Sequence, residues 1–180
     1  MTKALVLLAD GTEEMEAVIV IDTLRRARWD VVAAGVTDTT ITASRGVKIV
    51  CDTTLQAVKD SAFDVLVLPG GAGGTRIMSA HAEVLALVRT FVIEGRVVGA
   101  ICAAPLILQA AGLLEGRRVT CHPAVQTQLT QTTPLQERVV IDGKLITSQG
   151  PGTTFEFALA IIASVDGSEA ARTVRAGLVL

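Results

Sequence analysis

The stretch "VVGAICAAP", residues 97–105, decides how this chain is read. Five residues of mostly apolar character end at Cys102. Two alanines and a proline follow. An apolar run of this length, bounded by small residues, has the form of a strand buried on both faces. Pro105 then suits the first turn of a helix. The cysteine therefore falls where a strand hands over to a helix. Two readings stay open from these residues. Cys102 is a small buried hydrophobe, or it is a nucleophile held in a sharp turn of the nucleophile-elbow kind.

Working outward, the same strand-then-helix pattern recurs. Lys3–Ala9 and Phe63–Leu68 are apolar strands, and Asp30–Val36 is a third. A helix is expected over Glu14–Arg28, with Thr12 as its N-cap, and others over His81–Glu94 and Ala103–Ala111. Thr40–Val50 reads as a hairpin around Ser44-Arg45-Gly46. Val119–Cys121, Val139–Ile141 and Leu145–Ser148 read as strands, and Phe155–Ser164 and Ser168–Ala176 as helices. Alternating strands and helices with apolar strands imply an α/β fold, a doubly wound and mostly parallel sheet between helices. With 180 residues, half of them hydrophobic, the chain suits a single domain over residues 1–180. In such folds ligands bind beyond the carboxyl ends of the strands. Asp10–Thr12, Pro69–Gly74 and Cys102–Pro105 all follow such ends.

Composition narrows the function. The net charge is −2, and the aromatic residues are one Trp and four Phe. Neither a basic block nor stacking aromatics point to nucleic acid. No apolar run reaches the ~18–20 residues that span a bilayer, and the N-terminus lacks the features of a signal peptide, so the expectation is a cytoplasmic protein with no membrane partner. Three cysteines, Cys51, Cys102 and Cys121, give neither a disulfide framework nor a zinc spacing, and no metal is expected. No cofactor is expected either. Gly73-Gly74 leads to Thr75-Arg76 rather than to the Lys-Ser/Thr of a phosphate loop, and no GxGxxG is present.

Other residues stand beside Cys102 as candidates. Gly70 and Gly71 have bare backbone N–H groups that suit an oxyanion, or they form a plain turn. The helix after Cys102 would favour the thiolate through its dipole. Glu16 borders an apolar stretch. A carboxyl buried beside a thiolate stays protonated through desolvation and like charge, and donates a hydrogen bond to sulfur. His122 follows "RRVTC" at a strand end and suits proton transfer; His81 suits a solvated or capping role. The run Ala17–Ile21 makes the first helix apolar nearly all round, which calls for cover by loops or by a second copy of the chain.

Taken together, "LADGTEEMEAV", "DVLVLPGG", "GAICAAP", "VTCHP" and "TSQGPGTTFEFALAII" resemble the ThiJ/PfpI superfamily, in the branch that contains the Parkinsonism-associated protein deglycase. The resemblance runs the length of the chain. It implies a flavodoxin-like, class I glutamine amidotransferase-like fold and a homodimer. It implies Cys102 as nucleophile, Glu16 as its protonated partner and His122 as the nearby histidine. The backbone amides of Gly71 and Ala103 would polarise bound oxygen. Arg26 and Arg45 would lie close to the site near the dimer interface, and Pro151 would approach the cysteine from the partner subunit.

Three departures separate this chain from other branches. Ala103 stands where the peptidase-like branch has histidine. No His-x-Glu pair follows late in the chain, as glutamine amidotransferases require. Ala43 stands where some relatives carry another cysteine. The implied activity is that of a cofactor-independent glyoxalase or deglycase, acting on α-oxoaldehydes or on glycated thiols and amines. An oxidative-stress sensor or redox-regulated chaperone using the same cysteine is the alternative. Thiamine-precursor metabolism has no support in these residues.

Overall fold

The computed structural model describes residues 1–180. Its sheet is built from β1 (Lys3–Leu8), β2 (Asp30–Gly35), β5 (Thr53–Thr54), β6 (Val65–Leu68), β7 (Val97–Ile101), β8 (Val139–Asp142) and β9 (Leu145–Ser148). The strand order is β5-β2-β1-β6-β7-β9-β8. All neighbours are parallel except the β8–β9 pair. A separate antiparallel hairpin pairs β3 (Thr40–Thr42) with β4 (Lys48–Val50).

Period-two geometry divides the core in two. Along β1, Leu5 and Leu7 face one side of the sheet, and Ala4, Val6 and Leu8 the other. The same alternation runs through β6, where Leu66 and Leu68 oppose Val65 and Val67. One core packs under α3 (Ala72–Ala80), α4 (Ala82–Ile93) and α5 (Pro105–Ala110). The second lies under α1 (Glu14–Arg26), α6 (Thr154–Asp166) and α7 (Ser168–Gly177). The remaining helix, α2 (Leu55–Val58), is a single turn. Each fully buried Leu, Ile or Val contributes about 1.5–3 kcal/mol relative to exposure. An aliphatic core of this extent therefore holds the sheet without many aromatics.

Several expectations need correction. Thr12 does not cap α1. Its Oγ1 accepts from the Ala9 N–H at 3.1 Å, closing the turn, and the cap position falls to Glu13. Helix α3 begins at Ala72, inside the segment read as a glycine loop. Glycines at 73 and 74 oppose helix formation by propensity, but a Cβ at Gly74 would lie 2.6 Å from Thr12 Oγ1. Close contact with the first loop requires glycine there, and burial of Thr75 and Met78 fixes the helix. Val119–Cys121 forms no strand. The Thr120 N–H donates to Thr147 Oγ1 at 2.9 Å, and the Leu135 N–H donates to the Val119 carbonyl, so side-chain and loop bonds replace a ladder. Helix α5 starts at Pro105, two residues later than expected, and β5 and α2 carried no periodic signal.

The chain leaves β1 toward β2 in one direction and β6 toward β7 in the other. The crevice of a doubly wound sheet lies where that order reverses. Here it is closed at its base by the Glu13 N–H donating to the Gly70 carbonyl at 3.0 Å. No helix is long and apolar enough to cross a membrane.

Candidate active site

Three loops converge at this crevice, and each sets one group. Cys102, at the end of β7, has φ of +64°. A left-handed backbone is unusual for a residue with a Cβ and marks local strain. Its N–H donates to the Ser148 carbonyl at 2.9 Å, and its carbonyl accepts from the His122 N–H at 2.9 Å. These bonds on either side hold the strained residue in a sharp strand-to-helix turn. Cys102 keeps partial exposure, whereas Cys51 and Cys121 are buried. Burial pushes the Cys121 thiol up to about 11 and raises that of Cys51, with the charge of Asp52 adding to the latter.

Glu16 lies on the buried face of α1 and has no exposed surface. Its Oε2 accepts from the Gly70 N–H at 2.7 Å, and Oε1 is buried without a partner of hydrogen-bonding geometry. Burial pushes this carboxyl up to about 7; the Gly70 N–H and the Cys102 thiol, which also interacts with it, pull the other way. A Cβ at residue 70 would sit 2.6 Å from Cys102 Cβ and 2.9 Å from Glu16 Oε2. Only glycine lets the carboxyl and the thiol meet.

The expectation of a thiol lowered outright by a helix dipole is not met. Helix α5 has six residues and starts three beyond the cysteine. Burial, then the charge of Glu16, push the Cys102 thiol up to about 12. The N–H groups of Gly71 and Ala103 act in the opposite direction. When Glu16 holds the proton its opposing charge is gone, and its O–H adds to those donors. The ionisation thus belongs to the pair and not to the sulfur alone. Singly ionised, the pair holds one proton between a carboxyl and a thiol.

The other expected residues divide. Gly71 and Ala103 supply donors to sulfur, while the Gly70 N–H serves Glu16 instead. His122 is partly buried. Its Nδ1 accepts from the Ala124 N–H at 3.1 Å, capping the 3₁₀ turn Pro123–Gln128, which leaves Nε2 as the N–H in the neutral ring. It lines a cleft of about 200 Å³ with Pro151 and Arg138 and makes no hydrogen bond to the thiol. Arg45 donates its backbone N–H to Glu14 Oε1 at 2.9 Å, on the rim of the α1 loop. Arg26 is not brought to the site within this subunit. It lies ten residues along α1 from Glu16, roughly 15 Å by helical rise, and its guanidinium pairs with Asp22 at 2.6 Å.

Sequence reading passed over three contributors. Ser44 Oγ lies 2.8 Å from carboxylate oxygens of both Glu13 and Glu14, tying the hairpin to α1. For Glu14, burial raises the carboxyl, but the bonds from backbone and Ser44 outweigh it and the net direction is down. Ser148 orients the elbow through its carbonyl. Arg138 faces the cleft while bound to Glu156. None of these lies in a spacing that signals chemistry.

Fold and site define a class: α/β proteins of the class I glutamine amidotransferase-like type, with a cysteine at a strand-to-helix elbow. Within it, the chain belongs to the DJ-1/PfpI family, whose model matches residues 2–164. The crystal structure of Drosophila melanogaster DJ-1beta superposes with a TM-score of 0.96 at 42% identity, covering 99% of this chain and 98% of that one. Protein DJ-1 homolog B of Arabidopsis thaliana is 42% identical over 167 residues, 92% of this chain, and the chain spans 38% of that relative's length. A Caenorhabditis elegans relative named glutathione-independent glyoxalase DJR-1.2 is 39% identical, over 92% of this chain and 90% of its own.

The raised carboxyl of Glu16 has a stability consequence. Its folded-state value lies above the ordinary 4.5, so the folded protein holds this proton more tightly than the unfolded chain. The resulting stability is full below about pH 4.5 and is lost as pH rises through about 7. A shift of this size corresponds to about 3 kcal/mol. Urea denaturation at pH 4.5 and pH 8 is expected to show the parent losing about 3 kcal/mol more than Glu16→Gln over that interval.

Proposed function

We propose that the protein is a cofactor-independent glyoxalase, acting through Cys102 on small α-oxoaldehydes such as methylglyoxal and glyoxal or on their adducts with thiols and amines. The observation that carries this reading is the Glu16–Cys102 pair, a buried carboxyl poised near neutral pH against a partly exposed thiol. A base of that pKa is matched to proton transfer at neutral pH. The name of the C. elegans relative points to the same chemistry.

With methylglyoxal, the sulfur adds to the aldehyde carbon. The carbonyl oxygen gains charge and then a proton, and a hemithioacetal results. Glu16 accepts the thiol proton as the S–C bond forms. The N–H groups of Gly71 and Ala103, no longer needed by a charged sulfur, then stabilise the developing oxyanion. Removal of the C1 proton gives an enediol, and reprotonation at C2 gives a lactoyl thioester. Glu16 and His122 carry these proton transfers. Water then cleaves the thioester, releasing lactate and restoring the thiol. The sum is addition of one water without net oxidation, which these residues accomplish by acid–base and nucleophilic steps. Lactate formation from methylglyoxal is expected in the parent and reduced at least a hundredfold in Cys102→Ser. Equal rates would reject the assignment.

A homodimer through the first helix belongs to this proposal. Met15 and Val18 are 54% and 53% exposed on the outer face of α1, and Val47 and Val50 of the neighbouring hairpin are exposed beside them. This apolar surface suits a second copy of the chain. Sedimentation equilibrium is expected to give twice the chain mass for the parent and a shift toward monomer for Val18→Asp. A parent that runs as a monomer at micromolar concentration would overturn the dimer.

A further inference from the structure

A groove of about 650 Å³ lies between one face of α3 and one face of α5. Its lining includes Ala72 and Ala103, the residues directly after Gly71 and Cys102, which brings it next to the site. On α3, residues 72, 75, 76 and 79 recur at the spacing that shares a helix face. A three-carbon aldehyde fills little of a space on this scale, which is that of sites for larger ligands.

Two kinds of polar group in the groove lack partners. Thr75 is 3% exposed, yet its Oγ1 is buried with no hydrogen bond, and Ser79 Oγ is in the same condition. Buried hydroxyls without partners are costly and uncommon. Between them on the same face, Arg76 is exposed and takes part in none of the ion pairs that occupy other arginines of the fold. Leu106 and Val125 give the groove apolar wall. The polar lining of the groove thus comprises a guanidinium, two recessed hydroxyls and the side chains of Gln109 and Gln128, of which Gln109 is already bonded to the Gln128 carbonyl and the Thr130 N–H, and no carboxylate lines it.

We propose that this groove is a substrate subsite for an aliphatic arm ending in a carboxylate. Arg76 binds the carboxylate, Thr75 and Ser79 bind oxygens of the arm, and Leu106 and Val125 pack against its methylenes. Guanidinium and carboxylate match as a two-point hydrogen-bonded pair. The reacting end of such a substrate depends on the aldehyde-addition reading of Cys102; binding of the arm does not. The preferred substrate class is therefore an α-oxoaldehyde or adduct bearing a terminal carboxylate rather than a neutral dicarbonyl.

The test separates the two. Binding of 4-oxopentanoate, which has the arm but no aldehyde, is titrated by NMR against Cys102→Ser. Saturable binding is expected there, at least tenfold weaker for 2-pentanone, and about tenfold weaker after adding Arg76→Gln. Thr75→Val, nearly the same shape, is expected to weaken it severalfold. Equal affinity with and without Arg76 overturns the subsite. In turnover, the ratio of kcat/KM for 4,5-dioxopentanoate to that for 2-oxopentanal is expected to fall about tenfold in Arg76→Gln. An unchanged ratio also overturns it. Failure of the parent to turn over any α-oxoaldehyde, with binding as expected, would sink the activity reading and leave the subsite standing.

Discussion

Glu16 is a carboxyl without exposed surface, set against the thiol of Cys102 and held by one backbone N–H. Burying an ionisable group is unfavourable unless it is neutralised or bonded. This one is served by the Gly70 N–H and by a thiol, and the compromise raises it to about 7. Much of the local architecture follows from making that contact possible. Residue 70 must lack a Cβ, β7 must end in a left-handed residue, and α1 must start just after β1 so that its third residue faces the crevice. Stability is given up near neutral pH, and an acid–base group with a useful pKa is gained.

Chemistry at this site is a property of the pair. Burial moves all three thiols upward, which disfavours the reactive thiolate. Cys102 differs in having an acid beside it, two N–H donors near its sulfur and a path to solvent. In the proposed reaction, one proton moving between carboxyl and sulfur lets the sulfur carry charge when an electrophile arrives. On that proposal the same donors then serve the oxygen of the adduct.

The sheet was legible in the sequence because its signal is local. Continuous apolar runs at Lys3–Leu8, Val65–Leu68 and Val97–Ile101 bounded by small residues have few other readings. Cys102, Glu16 and Gly71 were legible for the same reason: each sits at a predicted strand end or helix start. What failed to show was tertiary. Helix α3 forms across Gly73 and Gly74 because the first loop packs on it, and propensity argues against it. Val119–Cys121 has strand composition but finds side-chain and loop partners instead of a ladder. Gly70 and Gly71 looked equivalent, and only the fold assigns one N–H to the carboxyl and the other to the sulfur. Arg26 was expected near the site by resemblance, yet helical rise alone carries it away within the subunit. The open groove beside α3 was invisible, since it exists only once α3 and α5 are packed.

The pH dependence of Cys102 alkylation, followed by mass spectrometry in the parent and in Glu16→Gln, tests the shared-proton account most directly. The account predicts a parent rate that rises to a plateau with a midpoint near 7. In Glu16→Gln the plateau disappears, and the rate rises only above the ~8.5 of a free thiol. A Glu16→Gln protein that keeps the parent's midpoint, or a parent thiol that reacts only in the alkaline range, would contradict it.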